Sequence, residues 1–225
     1  MSDKNVFLPF LGMLLEHKNA TAPEKNKKAK FTPSEQLVFL WMLYNPGKTF
    51  SQQDLVDKLH LQKMTASRAM ERIGSLGMVV TSVDEKNGRK LIYEKLALKD
   101  IYLKGKGLLA NPVGETIFVK EMPDAPFAKT GMTALAAQTM ISDDKGASFA
   151  ISKKYREKLM ESAVPEEQGM NEFLSKVLVM KYDPMLFAQG GTTDPITTIL
   201  TIENKDERTE RAIDELMEKY KWYTA

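Results

Sequence analysis

Residues 59–80, LHLQKMTASRAMERIGSLGMVV, decide how the rest of the chain is read. Ala66, Ala69, Met70, Ile73 and Leu76 recur at steps of three and four. That spacing lines one face of a helix, and the alanines on it let a neighbouring helix approach closely. The opposite surface carries Gln62, Lys63, Thr65, Arg68 and Arg72. After Gly77 the chain turns apolar and β-branched, in MVVTSV. The polar surface is either the solvated side of an ordinary core helix or a surface that reads DNA.

The flanking residues bear on that choice. Upstream, SQQDLVDKLH predicts a helix capped by Ser51, with Leu55, Val56 and Leu59 on one face. Before it, FTPSEQLVFLWMLYN carries a helix-start signal: Thr32 as cap, Pro33 in the first turn and Glu35 placed for a capping box. Leu37, Leu40, Trp41 and Tyr44 then recur at helical spacing, and PGKTF ends the helix. Downstream, Asn87-Gly88 stands between the β-prone runs MVVTSV and LIYEKL, a strong hairpin signal. Helix, helix, short turn, helix and hairpin is the order of a winged helix-turn-helix.

Residues 32–96 resemble the DNA-binding core of bacterial winged-helix regulators of the MarR-like kind. The match rests on Leu55, Leu59, the turn at His60 and Leu61, Thr65-Ala66-Ser67-Arg68, Ile73 and the Gly77-Met78-Val79 exit. Beyond the hairpin the chain departs from that family, whose members are small. NPVGETIFV, TGMTALAAQTMI, KYDP and DERTERAIDELMEKYKW are similar to the C-terminal domain of AbiEi-type antitoxins, winged-helix autorepressors paired with a toxin enzyme.

The chemistry of the polar face suits B-DNA. Arg and Lys donate to guanine, Gln pairs with adenine, and Thr touches a thymine methyl or a phosphate. Ser67 is a further phosphate contact. At the hairpin tip Lys86, Arg89 and Lys90 are placed for backbone or minor groove, although Asp84 and Glu85 oppose this. The expected DNA contacts are therefore Gln62, Lys63, Thr65, Ser67, Arg68 and Arg72 on the helix at 62–76, with Lys86, Arg89 and Lys90 on the wing at 84–90.

Global composition restricts the other classes. The 225 residues are 43% hydrophobic, enough for a core, and carry a formal net charge of only +2, so any nucleic-acid footprint must be local. With no cysteine, disulfides, Cys-zinc sites and thiol catalysis are excluded. His17 and His60 are the only histidines, which argues against a His-rich metal site. Gly47-Lys48-Thr49 lacks the earlier glycine of a P-loop, since position 42 is Met42. Gly105, Gly107 and Ala110 follow a polar helical stretch and not a strand, against a dinucleotide loop. Asp183, Asp194 and Asp206 read as turn and helix starts before they read as a metal cluster. No apolar run approaches a membrane span and no signal peptide is evident, so a cytoplasmic protein is expected.

Residues 6–17 read as a short apolar helix, and 18–30 as a lysine-rich connection. After the hairpin, a helix is expected over 97–109, followed by a strand in ETIFVKEM and a small-residue helix in TGMTALAAQTMI. GASFAISKKYREKLM gives a strand and then a basic patch or helix. FLSKVLVMKYDP gives a helix turning into a strand, DPITTILTI another strand, and KDERTERAIDELMEKYKW a last helix with Ile213, Leu216, Met217 and Tyr220 on one face. The expectation is an α+β fold: a winged helix-turn-helix domain over 1–96 and a mixed α/β domain over 97–225 for sensing, dimerisation or partner binding. The function expected is transcriptional repression by a homodimer on double-stranded DNA, with a protein partner or small effector at the C-terminal domain, no cofactor, no metal and no catalysis. An antitoxin that neutralises a toxin, or a plasmid replication initiator, are the alternatives.

Overall fold

Thr32 opens the first long helix. In the computed structural model, which describes residues 29–84, 90–143 and 146–224 and the backbone of 6–8 and 13–15, its hydroxyl accepts from the Glu35 amide. The Glu35 carboxylate accepts from the Thr32 amide in return. This capping box starts α1, Pro33–Tyr44. The spacing predicts one apolar stripe on α1, yet every residue from Gln36 to Leu43 is buried. A helix apolar all round needs cover on every side, and here two different halves of the chain supply it.

The first cover is local. The short strand β3, Thr49–Ser51, precedes α2, Gln52–Leu59, and α3, Lys63–Ser75. A hairpin follows, formed by β4, Val79–Asp84, and β5, Lys90–Lys95. The remaining strands β1, Val6–Leu8, and β2, Met13–Leu15, pair antiparallel with each other. This corrects the helix expected over 6–17. A residue before proline is held to extended backbone, and Leu8 precedes Pro9. In the main N-terminal sheet the order is β3-β5-β4, all antiparallel. The sequence signals only a helix end where β3 forms. Phe50 is drawn in because its ring meets Trp41 edge-on at 4.9 Å and lies 5.5 Å from Tyr93. Helix α4, Leu98–Gly105, then lies against α1 and runs into a 3-10 turn at Lys106–Leu108, as the 97–109 reading expects.

The second cover comes from the C-terminal half. Its elements are β6 (Val113–Val119), β7 (Phe127–Lys129), α5 (Gly131–Ala136), β8 (Ser148–Ser152), α6 (Arg156–Met160), β9 (Ala163–Val164), α7 (Glu166–Asn171), β10 (Ser175–Met180), α8 (Pro195–Leu200), α9 (Glu207–Met217) and α10 (Lys221–Thr224). They build a mixed sheet in the order β7-β8-β10-β6-β9, with β8 and β10 parallel and the other neighbours antiparallel. Val177 and Val179 of β10 join Ile117, Val119, Ile151 and Leu159 on one face, and Leu178 and Met180 join Ala150 on the other. Both faces are covered over Val177–Met180, the stretch of β10 that reads as an unbroken apolar run. The chain is thus mixed α+β. No helix among the described residues is long and apolar enough to cross a membrane.

Two further expectations are corrected. DPITTILTI forms the helix α8 and not a strand. Asp194 accepts from the Thr197 amide at 3.0 Å, Pro195 occupies the first turn, and the Thr201 hydroxyl bonds back to the Thr197 carbonyl at 3.0 Å. A β-branched run disfavours helix by only about 0.7 kcal/mol per residue or less. A cap worth about 1 kcal/mol, with burial of the segment, outweighs it. The helix expected at FLSKV lies earlier, as α7, and the strand begins at Ser175.

The core that contains α1 runs through both halves: Tyr182, Ile196, Met217 and Trp222 belong to the same buried cluster as Phe39, Leu55 and Ile73. α4 enters this core with Ile101 and packs closely at its glycine end. A Cβ on Gly105 would sit 2.1 Å from a ring carbon of Phe39, itself fully buried. Gly105→Ala is expected to destabilise the fold by about 1–3 kcal/mol through overpacking. Urea denaturation checks this, and an unchanged midpoint would contradict the packing described.

Candidate nucleic-acid interface

The face of α3 is set up by the turn before it. α2 starts from Ser51, whose hydroxyl accepts from the Asp54 amide at 3.3 Å, while the Asp54 carboxylate takes the Ser51 amide at 2.6 Å. It ends at His60, which adopts left-handed backbone at φ 54°. Histidine is among the non-glycine residues that tolerate this region. The turn over residues 60–62 then reverses the chain into α3. Gln52 ties the two helices, its side-chain amide donating to the Lys63 carbonyl at 2.8 Å.

On its inner side α3 buries Ala66, Ala69, Met70 and Ile73, as the spacing predicts. Leu76 is half-buried at the end. Gly77 closes the helix at φ 63°, with the Met78 amide reaching back to the Ile73 carbonyl at 3.3 Å. This is a Schellman ending, and it turns the chain directly into β4.

The outer side presents Gln62, Lys63, Ser67 and Arg68 to solvent, with Thr65 half-buried beside them. Met64 is 66% exposed in their midst. The sequence reading did not single it out, because an apolar residue on a polar face carries no signal by itself. Arg72 differs from Arg68. Its guanidinium donates to the Ala29 carbonyl at 3.3 Å, so it anchors the segment leading into α1. Of the wing residues, Lys90 is exposed at the start of β5, paired across from Asp84. Lys86 and Arg89, with the Asn87-Gly88 turn, lie outside the described residues. The outer part of the hairpin stands clear of the core, since Val80, Val83 and Leu91 are all exposed.

The hairpin is nevertheless fastened to the helices. Lys95, buried near the base of β5, donates to the Met42 carbonyl at 2.9 Å and the Asn45 carbonyl at 2.5 Å. Positive charge there complements the carbonyl end of α1. Burial pushes the Lys95 ammonium below the usual lysine range. Lys95→Met leaves both carbonyls without this donor and should cost roughly 1–3 kcal/mol of stability, read from thermal unfolding.

The same end of α1 is joined to the C-terminal half by a buried polar cluster. The Tyr44 hydroxyl donates to Asp194 Oδ1 at 2.9 Å. Nearer the start of α1, the Gln36 amide group exchanges bonds with the Ala110 backbone at 3.0 and 2.8 Å. It also donates to the Tyr182 hydroxyl at 3.3 Å. Asp194 Oδ2 is buried with no hydrogen-bond partner. Burial is the main cause that raises the Asp194 carboxyl above the usual aspartate range, against the lowering effect of its bonds from Thr197 and Tyr44. The folded state therefore holds a proton that the unfolded state has released over the interval between the ordinary and raised values. Stability should fall as pH rises through that interval. Asp194→Asn keeps a competent helix cap and removes the charge. It is expected to be at least as stable as the parent at neutral pH, with the difference shrinking toward pH 4. A variant destabilised equally at both pH values would contradict this assignment.

The three carboxylates considered in the sequence for a metal each cap a helix instead. Asp183 accepts from the Met185 amide, Asp194 from Thr197 and Asp206 from Thr209. Among the described residues no group of three or more His, Cys, Asp or Glu side chains could hold a metal ion. Comparison with known protein families, with curated proteins and with solved structures finds no match to this chain.

Proposed function

We propose that this chain is a sequence-specific DNA-binding regulator in which residues 32–96 form a winged helix-turn-helix. The observation that carries the reading is the two-sidedness of α3. Its inner face is closed by small and apolar residues, and its outer face offers Gln62, Lys63, Ser67 and Arg68 at the start of the helix. The hairpin standing clear of the core beyond Gly77 supports it further. A helix of this width enters the major groove, and its first turns meet base edges.

In this reading Arg68 and Gln62 address bases, and Lys63 and Ser67 address phosphates. Met64 gives apolar contact to a thymine methyl. Arg72 contributes indirectly by holding the approach to α1, and the wing at 84–90 contacts backbone or minor groove. The chain acts as a homodimer on a pseudo-palindromic operator, as a repressor.

Selection from a pool of random duplexes, followed by sequencing, tests this. The expected result is a symmetric motif whose enrichment is lost in Arg68→Ala. On the selected site Arg68→Ala should cost about 1–3 kcal/mol. Lys63→Ala should lower the slope of log affinity against log salt by roughly 0.9. No enriched motif, or a motif indifferent to Arg68, would leave α3 with an ordinary solvated face.

A further inference from the structure

The parallel pairing of β8 and β10 has a local result. Ser152 and Met180 are register partners at the carboxyl ends of the two strands. The residues that follow, Lys153 and Lys154 after one strand and Lys181 after the other, are therefore delivered to one place. All three line a cleft of about 490 Å³ between the C-terminal half and the turn that precedes α3. Its apolar wall is Leu37, Leu59 and Leu186, and His60 and Leu61 close it on the side of α3.

We infer that this cleft binds a small amphipathic anion, a carboxylate on an apolar body. The volume lies within the roughly 300–1,000 Å³ of small-molecule sites, and an apolar wall with a few converging polar groups is their usual make-up. The charge balance decides the sign of the ligand. The three lysines face one carboxylate in the lining, Asp183, which pairs with Lys154 at 3.3 Å. Lys181 gives one bond to the Asn111 carbonyl at 3.2 Å and keeps donors to spare. Lys153 and Lys181 are exposed at the mouth, so their heads stay hydrated until an anion draws them together. A second cleft, beside Gly131 and Gly169, lacks this imbalance: its lysine, Lys176, is matched by Glu203 at 2.6 Å.

The bound body would touch elements from both halves. Tyr182 lines the cleft and also receives the Gln36 bond from α1. Leu61 belongs to the turn that aims α3. The site itself does not require DNA binding.

Calorimetric titration of the full-length chain with 2-naphthoate, and with the uncharged 2-naphthylmethanol, tests the inference without DNA present. A single saturable site is expected for naphthoate, with the neutral compound weaker by about tenfold or more. Lys153→Gln with Lys181→Gln should weaken naphthoate by about tenfold and abolish the preference for the anion. Lys176→Gln, at the other cleft, should leave the affinity unchanged. Circular dichroism melting confirms that the variants are folded, as is expected for exposed lysines. No saturable binding up to millimolar naphthoate, or binding undiminished in the double variant, would overturn the assignment.

Discussion

The structure depends on the burial of α1 on all sides. A helix carrying Leu37, Val38, Phe39, Leu40, Trp41, Met42 and Leu43 in succession cannot be satisfied by one neighbour. The helices α2 and α3 with the small sheet cover part of it. α4, the Tyr182 region, α8 and the C-terminal Trp222 cover the rest. Gln36, just before this apolar run, is buried because the Ala110 backbone and the Tyr182 hydroxyl complete its amide. At the far end Tyr44 is packed among Phe187, Tyr220 and Trp222 and bonded to Asp194. The two halves therefore meet in one cluster around α1, while the faces of the C-terminal sheet bury clusters of their own.

That sharing explains which parts of the fold were legible in the sequence. Capping boxes at Thr32 and Ser51, the buried stripe of α3 and the last amphipathic helix all follow from neighbours within a few residues, so local pattern suffices. The strand β3 exists because Phe50 finds Trp41 and Tyr93, which no local signal announces. The α8 segment reads as a strand because its threonines and isoleucines favour strands by propensity. The Asp194-Pro195 start, read as a turn, is the cap of a helix sunk in the shared core. The apolar run at 6–17 carries a helix signal, yet its described parts, Val6–Leu8 and Met13–Leu15, are paired strands.

The candidate site divides along the same line. The outward set of Gln62, Lys63, Ser67 and Arg68 follows from helical spacing alone. Arg72 does not, since its partner Ala29 lies far away in the chain. The basic stretch at Lys153 and Lys154 is legible, but its meeting with Lys181 is not, because only the parallel register of β8 and β10 brings Lys153 and Lys181 together. Leu61, on the turn before α3, and Tyr182, bonded to Gln36 of α1, both line the cleft beside these lysines.

With α1 buried between them, both halves are expected to unfold as one body. Native-state hydrogen exchange measures this directly, amide by amide. The slowest amides of α1, β10 and α8 are expected to exchange through one global opening, with a common free energy and a common response to denaturant. Amides of α1 and α8 exchanging through a separate, lower-energy opening while β10 stays protected would contradict it, and would make the chain two independent domains.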